Sequence, residues 1–404
     1  MRLFMHKNLY MDAYKPKREI TLKLQLLLRA CCLLGWMTVM NIANTLRGEE
    51  LTVWLGTSSA KPSEGIYQCT LDSESGKLSE SRLAAPMNGP GFLALHPKLN
   101  VLYAVGGLDG KASVVAYSIS REAGKPQLKL LNSLEIGDGG ATHVSVDSTG
   151  KTLLTAQYGG GSVAVFALAA DGTLEKRTAL IEHSGGSQQV VGRQDSPHPH
   201  WTGFSPDNRF AFVPDLGLDQ VIIYKHDAAK ATLTPHGHGQ APLGSGPRHM
   251  RFHPNGRWIY VLNELDLSLS VFDYDAQAGT MTLTQTMPTV PKEQLAKEIF
   301  SSGSEVCMHP TGKFVYAANR GHDTVTAFAI DQTTGKLQVI EHEPVRGAEP
   351  RNINLDPSGS WLLAAGQNSH TLACFQIDPQ TGELVYNQSV IQTPSPICVL
   401  FDRD

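Results

Sequence analysis

The hydrophobic pattern is most legible between Gly246 and Glu264. Residues 247–253 alternate and end at Pro254-Asn255-Gly256, and an apolar run from Trp258 to Leu262 follows. Proline presets φ and Asn-Gly tolerates positive φ, so the pattern predicts two antiparallel strands joined by a tight turn. Antiparallel pairing returns Glu264 to the sheet edge from which Arg248 departed. One hairpin therefore predicts a cation and a carboxylate side by side.

The same pattern recurs along the chain. Gly89–Pro97 leads into Val101–Val105, Gly140–Asp147 into Leu153–Ala156, and His198–Asp207 into Phe210–Val213. After the Arg248 hairpin, Gly303–Gly312 leads into Phe314–Ala317, and Glu349–Gly359 into Trp361–Ala364. Each second strand is followed by an alternating third, such as Val163-Ala164-Val165-Phe166 or Val221-Ile222-Ile223-Tyr224. A turn such as Asp331–Leu337 or Asp378–Leu384 then opens a fourth. Units of four antiparallel strands at roughly 50-residue spacing are the signature of propeller blades.

Six hairpins are complete. The repeat region also begins with an unpaired second strand, Leu51–Leu55, and ends with an unpaired first strand, Pro396–Phe401. Joined, these halves make a seventh blade and remove the open sheet edges. The expected fold is an all-β seven-bladed β-propeller whose last strand closes onto the first blade. Periodicity of helical type is nearly absent after residue 50, apart from a short candidate helix around Lys292–Phe300.

In a propeller the first strand of each blade lines the central channel. Aligning the hairpins on their turns therefore gives two rings at one mouth. The first-strand ring is Gly91, Thr142, His200, Arg248, Ser304, Arg351 and Ile397. The second-strand ring is Ser58, Gly107, Tyr158, Leu216, Glu264, Arg320 and Gln367. Three arginines, a histidine and a glutamate thus converge where a plain repeat would carry small residues. Like charges crowded at a rim point to an anionic ligand between them. A simpler reading pairs Arg248 and Arg320 with Glu264 in a solvated channel.

Neighbouring positions extend the candidate set. Asp215, one residue before the ring, is placed near the mouth, while Asp219 fits a turn. His198-x-His200 lacks a third metal ligand, so a positioned base or hydrogen-bond donor is expected there and no metal. His96, His253 and His309 fall at the hairpin turns and read as structural. The connection from His183 to Pro197 is longer than a blade needs, and with Arg193 it suits a lid or rim.

Composition narrows the partners. A net charge of −4 without a Lys/Arg block argues against nucleic acid and anionic membrane surfaces. The six cysteines have no CxxC or zinc spacing and read as buried thiols. P-loop, Gly-x-Ser-x-Gly and His-Glu-x-x-His signals are absent. Residues 1–48 stand apart: basic positions lead into the apolar run Ala30–Met40, which is short for a bilayer span. We read 1–48 as an export segment or N-terminal extension and 49–404 as a single propeller domain. That favours a periplasmic or secreted protein over a cytoplasmic one, with no stable membrane insertion of the mature domain.

Several segments together resemble the propeller lactonase family: Arg193-Gln-Asp-Ser-Pro-His-Pro-His200, Asp215-Leu-Gly-Leu-Asp219, Gly244-Ser-Gly-Pro-Arg-His249, Asn263-Glu264, Asn319-Arg-Gly321 and Glu349-Pro-Arg351. The resemblance covers about residues 51–404. It implies hydrolysis of a small anionic sugar lactone, best guess 6-phosphogluconolactone, with no cofactor. It also implies that Glu264, His200 and Arg248 are catalytic, alongside Arg320. Substrate binding is expected from Arg320, Arg351, His198, Arg193, Asp215, Gln367, His249 and Tyr158. The same family is similar to carboxy-muconate lactonizing cycloisomerases, which close a lactone rather than open one. A non-catalytic sugar-acid binder and a scaffold propeller are the rival classes. An export segment sits poorly with a cytosolic phosphosugar and points, if functional, to another sugar lactone or acid.

Overall fold

Alternating apolar strands can bury both faces only if sheets stack face to face, and a ring of blades is one closed way to do so. The computed structural model describes residues 48–122, 125–295 and 300–403. The expected export segment, save Gly48, lies outside the described residues. Seven four-stranded antiparallel sheets follow one another. The first joins β28 (Pro396–Phe401) to β1 (Glu50–Thr57), β2 (Gly65–Asp72) and β3 (Arg82–Pro86). The others are β4 to β7 (88–135), β8 to β11 (143–182), β12 to β15 (203–240), β16 to β19 (247–288), β20 to β23 (302–344) and β24 to β27 (350–392).

The closure works as the half-hairpins predict. Val53 pairs with Phe401 and Leu55 with Val399, so β28 supplies the channel strand of the blade that β1 starts. Two elements differ from expectation. The first strand of the fourth blade shrinks to β12 (Gly203–Phe204), because Pro197 and Pro199 cannot donate to a ladder. Irregular pairing persists there: His200 N–H donates to Pro214 O at 3.0 Å and Leu216 N–H to His198 O at 3.1 Å. The candidate helix is one turn, α1 (Lys292–Leu295), and residues 296–299 lie outside the described residues. No helix among the described residues is long and apolar enough to cross a membrane.

The core lies between blades. Between the fourth and fifth, Phe210, Phe212 and Ile223 meet Met250, Ile259 and Phe272. Each such buried side chain contributes about 1.5–3 kcal/mol of transfer free energy. Polar stitches join the same faces. The turn histidines reach one blade onward: His253 Nε2 contacts Gly312 O at 2.8 Å and His309 Nε2 contacts Gly359 O at 3.0 Å. Tyr103, Tyr260 and Tyr316 hydroxyls likewise donate to Gly172, Gly335 and Gly382 carbonyls in the next blade. Trp361 Nε1 donates to Ser73 O across the closing seam at 2.8 Å.

Candidate functional site

Backbone irregularity aims the charged side chains. In β16 (Pro247–Phe252), Pro247 faces Asn263 and His249 faces Leu262, so Arg248 is an extra, bulged residue. In β24 (Pro350–Leu355), Pro350 faces Gly366 and Asn352 faces Ala365, so Arg351 is bulged in the same way. A bulge unpairs one residue and redirects its side chain. Glu264 follows β17 (Trp258–Asn263), and Arg320 ends β21 (Phe314–Arg320).

Glu264 is the hub of the mouth and is only 6% exposed. Arg248 Nε donates to its Oε2 at 2.8 Å, Arg320 Nη2 lies 3.4 Å from the same oxygen, and Arg193 Nη2 donates to Oε1 at 2.6 Å. Burial alone would raise the carboxyl's pKa, but the Arg248 and Arg320 charges dominate and hold it well below the usual carboxylate range. Glu264 is therefore a fixed anion of low basicity. Burial, with the Arg320 charge next, draws Arg248 down to about 9, and the same two causes lower Arg351. Arg248 Nη1 also donates to Ser304 O, and Arg320 Nη2 to Gly303 O at 3.1 Å.

His200 stands beside this cluster. Its Nε2 is 4.0 Å from Glu264 Oε2, and its buried Nδ1 has no hydrogen-bond partner. Burial, then the Arg248 charge, pushes the imidazole well below 6.5, so it is neutral at physiological pH. Arg320 Nε and Gln367 Oε1 are also buried without partners. Unsatisfied groups of this kind are costly unless a ligand or water completes them.

His249 differs in kind. Arg248 Nη1 donates to its Nε2 at 3.1 Å, which fixes the proton on Nδ1, and Nδ1 donates to Glu305 Oε1 at 3.0 Å. Both ring nitrogens are used. Glu305, fully buried, also accepts from Arg251 Nη2 at 3.0 Å, from Val306 N–H at 3.0 Å and from Asn352 Nδ2 at 2.6 Å. A second anion thus props up the wall behind Arg248.

The long connection 183–197 is strapped over the mouth. His183 Nδ1 meets Asp215 Oδ2 at 2.6 Å, and Asp215 Oδ1 accepts from His198 N–H at 2.7 Å and Gly217 N–H at 3.0 Å. Gln194 Nε2 donates to Asp219 Oδ1 at 2.6 Å. Gly217 is required because a Cβ there would lie 1.9 Å from Ser196 O. The strap delivers Arg193, which also contacts the Tyr158 hydroxyl at 3.3 Å.

Glu264, His200, Arg248, Arg320, Arg193 and Tyr158 are thus brought together, and Arg351 lines the inner cavity with His200 and Arg248. Gln367 holds its ring position, its N–H bonded to Glu349 O at 3.0 Å. Two of the expected binding residues make contacts of another kind. The Asp215 carboxylate bonds His183 of the strap and the His198 and Gly217 N–H groups. His198 stacks on Tyr158 at 4.4 Å and bonds the Tyr158 carbonyl through Nδ1 at 2.7 Å, so it positions that ring. Asp219 is a clamp more than a plain turn residue. Glu305 and Gln194 escaped the sequence reading, since bulges and strap contacts leave no periodic signal. The inner cavity, about 110 Å3, is lined by Phe92, Thr142, His200, Arg248, His249 and Arg351 among others. Among the described residues no group of three His, Cys, Asp or Glu side chains has metal-holding geometry.

Comparison with known proteins gives a consistent picture. A family described as "Lactonase, 7-bladed beta-propeller" matches residues 52–401. The chain is 35% identical over 349 residues to a 6-phosphogluconolactonase of Bacillus subtilis, covering 86% of this chain and 97% of that one. It is 32% identical over 303 residues to a 6-phosphogluconolactonase of Formosa agariphila, covering 73% and 83%. Among solved structures, a periplasmic gluconolactonase of Pseudomonas aeruginosa superposes with a TM-score of 0.80 at 29% identity, covering 88% of this chain and 99% of that one.

Proposed function

The chain belongs to the seven-bladed β-propeller lactonase family, and from that premise we propose that it hydrolyses a small anionic sugar lactone, 6-phosphogluconolactone being the best candidate. The observation that carries the reading is the hub at Glu264: three guanidinium groups and one neutral imidazole around a single buried carboxylate.

In this mechanism His200 is the general base. Its Nδ1 has no hydrogen-bond partner, whereas both Glu264 oxygens are taken up by guanidinium groups; because burial lowers the imidazole's proton affinity, the Glu264 carboxylate 4.0 Å away must support the imidazolium as it forms. His200 takes a proton from water as the water oxygen bonds to the lactone carbonyl carbon. Arg248 stabilises the oxyanion that forms. The ring C–O bond then breaks, and the imidazolium returns the proton to the departing ring oxygen, giving the hydroxy acid. Glu264 stabilises the transient imidazolium and orients Arg248. Arg320, Arg351 and Arg193 hold the phosphate or carboxylate, since guanidinium matches such oxyanions bidentately.

The test is turnover of freshly generated 6-phosphogluconolactone above its spontaneous hydrolysis, for the full chain and for Glu264→Gln and His200→Asn. Both substitutions should lower kcat/KM by about 100-fold or more. Wild-type rates equal to buffer would remove this substrate. Unaltered rates in both variants would remove this site.

A further inference from the structure

The mouth is lopsided. The ring positions on the fourth to seventh blades carry His200, Arg248, Arg351, Glu264 and Arg320. Those on the first three carry no charge: Ser58, Gly107, Tyr158, Gly91, Thr142 and Ile397. On this uncharged side the inner cavity, about 110 Å3, and an open cleft of about 1020 Å3 share Ala141 and Ile397 as lining residues. Clefts of about 300–1,000 Å3 hold ligands of drug or disaccharide size, so a six-carbon lactone seated at the arginines leaves this space unfilled.

The wall states what would fill it. Lys61, Lys111, Glu64 and Asp109 line it, and Lys111 is ion-paired with Glu135, so the cleft has no cationic excess, in contrast to the arginine side. It offers the Ser59 hydroxyl and the exposed Asn88 carboxamide above Gly107, while the Ser58 and Ser63 hydroxyls at its wall also bond Ser395 and Thr57. Glycines along it expose backbone N–H and C=O groups at close range. A neutral, polyhydroxylated group meets those conditions. A second anion does not. Because Ala141 and Ile397 border both spaces, the occupant and the reacting lactone can belong to one molecule.

We propose that this cleft is a subsite for a neutral glycosyl extension of the lactone, so that the enzyme takes aldobionic lactones (a sugar joined to an aldonolactone) in addition to single-ring ones. The proposal rests on the lactonase reading for its chemistry, but binding can be tested apart from turnover. Contacts remote from the reacting carbonyl lower the barrier when the extension is present, so truncated substrates lose rate.

The experiment compares kcat/KM of the full chain for lactobionic δ-lactone and gluconic δ-lactone, each corrected for spontaneous opening. Calorimetric binding of the two product acids, lactobionate and gluconate, runs in parallel. Gly140→Trp fills the cleft at a position where a Cβ meets nothing within 4 Å, and Asn88→Ala removes a hydrogen-bonding group without adding bulk. The expected result is a preference of at least 10-fold for the disaccharide lactone, which falls to near unity in Gly140→Trp and is reduced about 3-fold in Asn88→Ala. Equal kcat/KM for both lactones in the wild type, or a ratio that neither variant changes, overturns the subsite. Turnover of 6-phosphogluconolactone runs as the control: if none of the three lactones is turned over, the lactonase reading fails on its own, and if only the phosphorylated one is, the binding arm alone decides the subsite. Lactobionate binding that is tighter than gluconate binding and lost in Gly140→Trp would still support the subsite, and equal binding would overturn it.

Discussion

Glu305 offers the sharpest test of how the site is held. Three donors converge on its Oε1, from His249, Arg251 and the Val306 N–H, while Asn352 Nδ2 donates to Oε2. In Glu305→Gln the amide oxygen keeps the three donors, and the new NH2 then faces the NH2 of Asn352. Rotating the Asn352 amide would relieve that clash, but its Oδ1 already accepts from Val399 N–H at 2.8 Å, so rotation orphans a buried amide on the closing strand β28. The Arg251 charge also loses its counter-ion. One buried orphan plus a broken ion pair should cost about 3 kcal/mol. For a propeller of about 350 residues that lowers Tm by about 4 °C. The decisive arm is the exchange Glu305→Gln with Asn352→Asp. The aspartate accepts from both the new NH2 and Val399 N–H and restores the negative charge to the network. A double-mutant cycle by urea unfolding should return a coupling of about 2 kcal/mol or more. A single-variant loss under about 1 kcal/mol, or a double variant no better than the sum of its parts, refutes the argument.

Two further outcomes follow from the mouth and the channel wall. Arg193→Ala should raise KM for an anionic lactone about 10-fold and change kcat by less than about 3-fold, with little change in Tm, because the Arg193 side chain is 36% exposed and Glu264 keeps Arg248 and Arg320; an equal fall in kcat would give Arg193 a transition-state role instead. His143, His200 and His249 are all held neutral, first by burial and then by neighbouring charge, well below the ordinary 6.5; the unfolded chain therefore binds protons that the folded chain refuses, so their stabilisation is intact above about pH 6.5 and lost as pH falls below it, and Tm measured between pH 7.5 and 5 should drop whereas a flat profile would contradict it.

Much of this was legible in the sequence because propeller blades repeat. The turn Pro254-Asn255-Gly256 and its counterparts fix where each hairpin reverses, and alignment on them brought Arg248, Glu264, His200, Arg320 and Arg351 to one mouth. The half-hairpins at 51–55 and 396–401 announced the closure. What escaped was whatever breaks the period. The bulges at Arg248 and Arg351 shift the residues after them by one, so Glu305, one place beyond the ring, did not register as a partner of His249. The strap partners of Asp215 were not legible either, because the strap's path depends on Gly217, Gln194 and Asp219 acting together. The proline-rich approach to His200 replaced a regular strand for lack of N–H donors.

The clasp between β1 and β28 also sets an order in time. β1 emerges first from the ribosome, yet its channel-side partner comes last, after six other blades have been made. Until then one edge of β1 and the flank of the blade beside it are exposed, and open strand edges invite pairing with other chains. Adding contour length to a loop raises its closure entropy only slowly, about 0.6 kcal/mol per doubling, so waiting costs little in equilibrium terms. The burden falls on kinetics: the open ring is the species that chaperones must shield, and substitutions that loosen the Gly56–Cys398 register lengthen its lifetime before they weaken the finished protein.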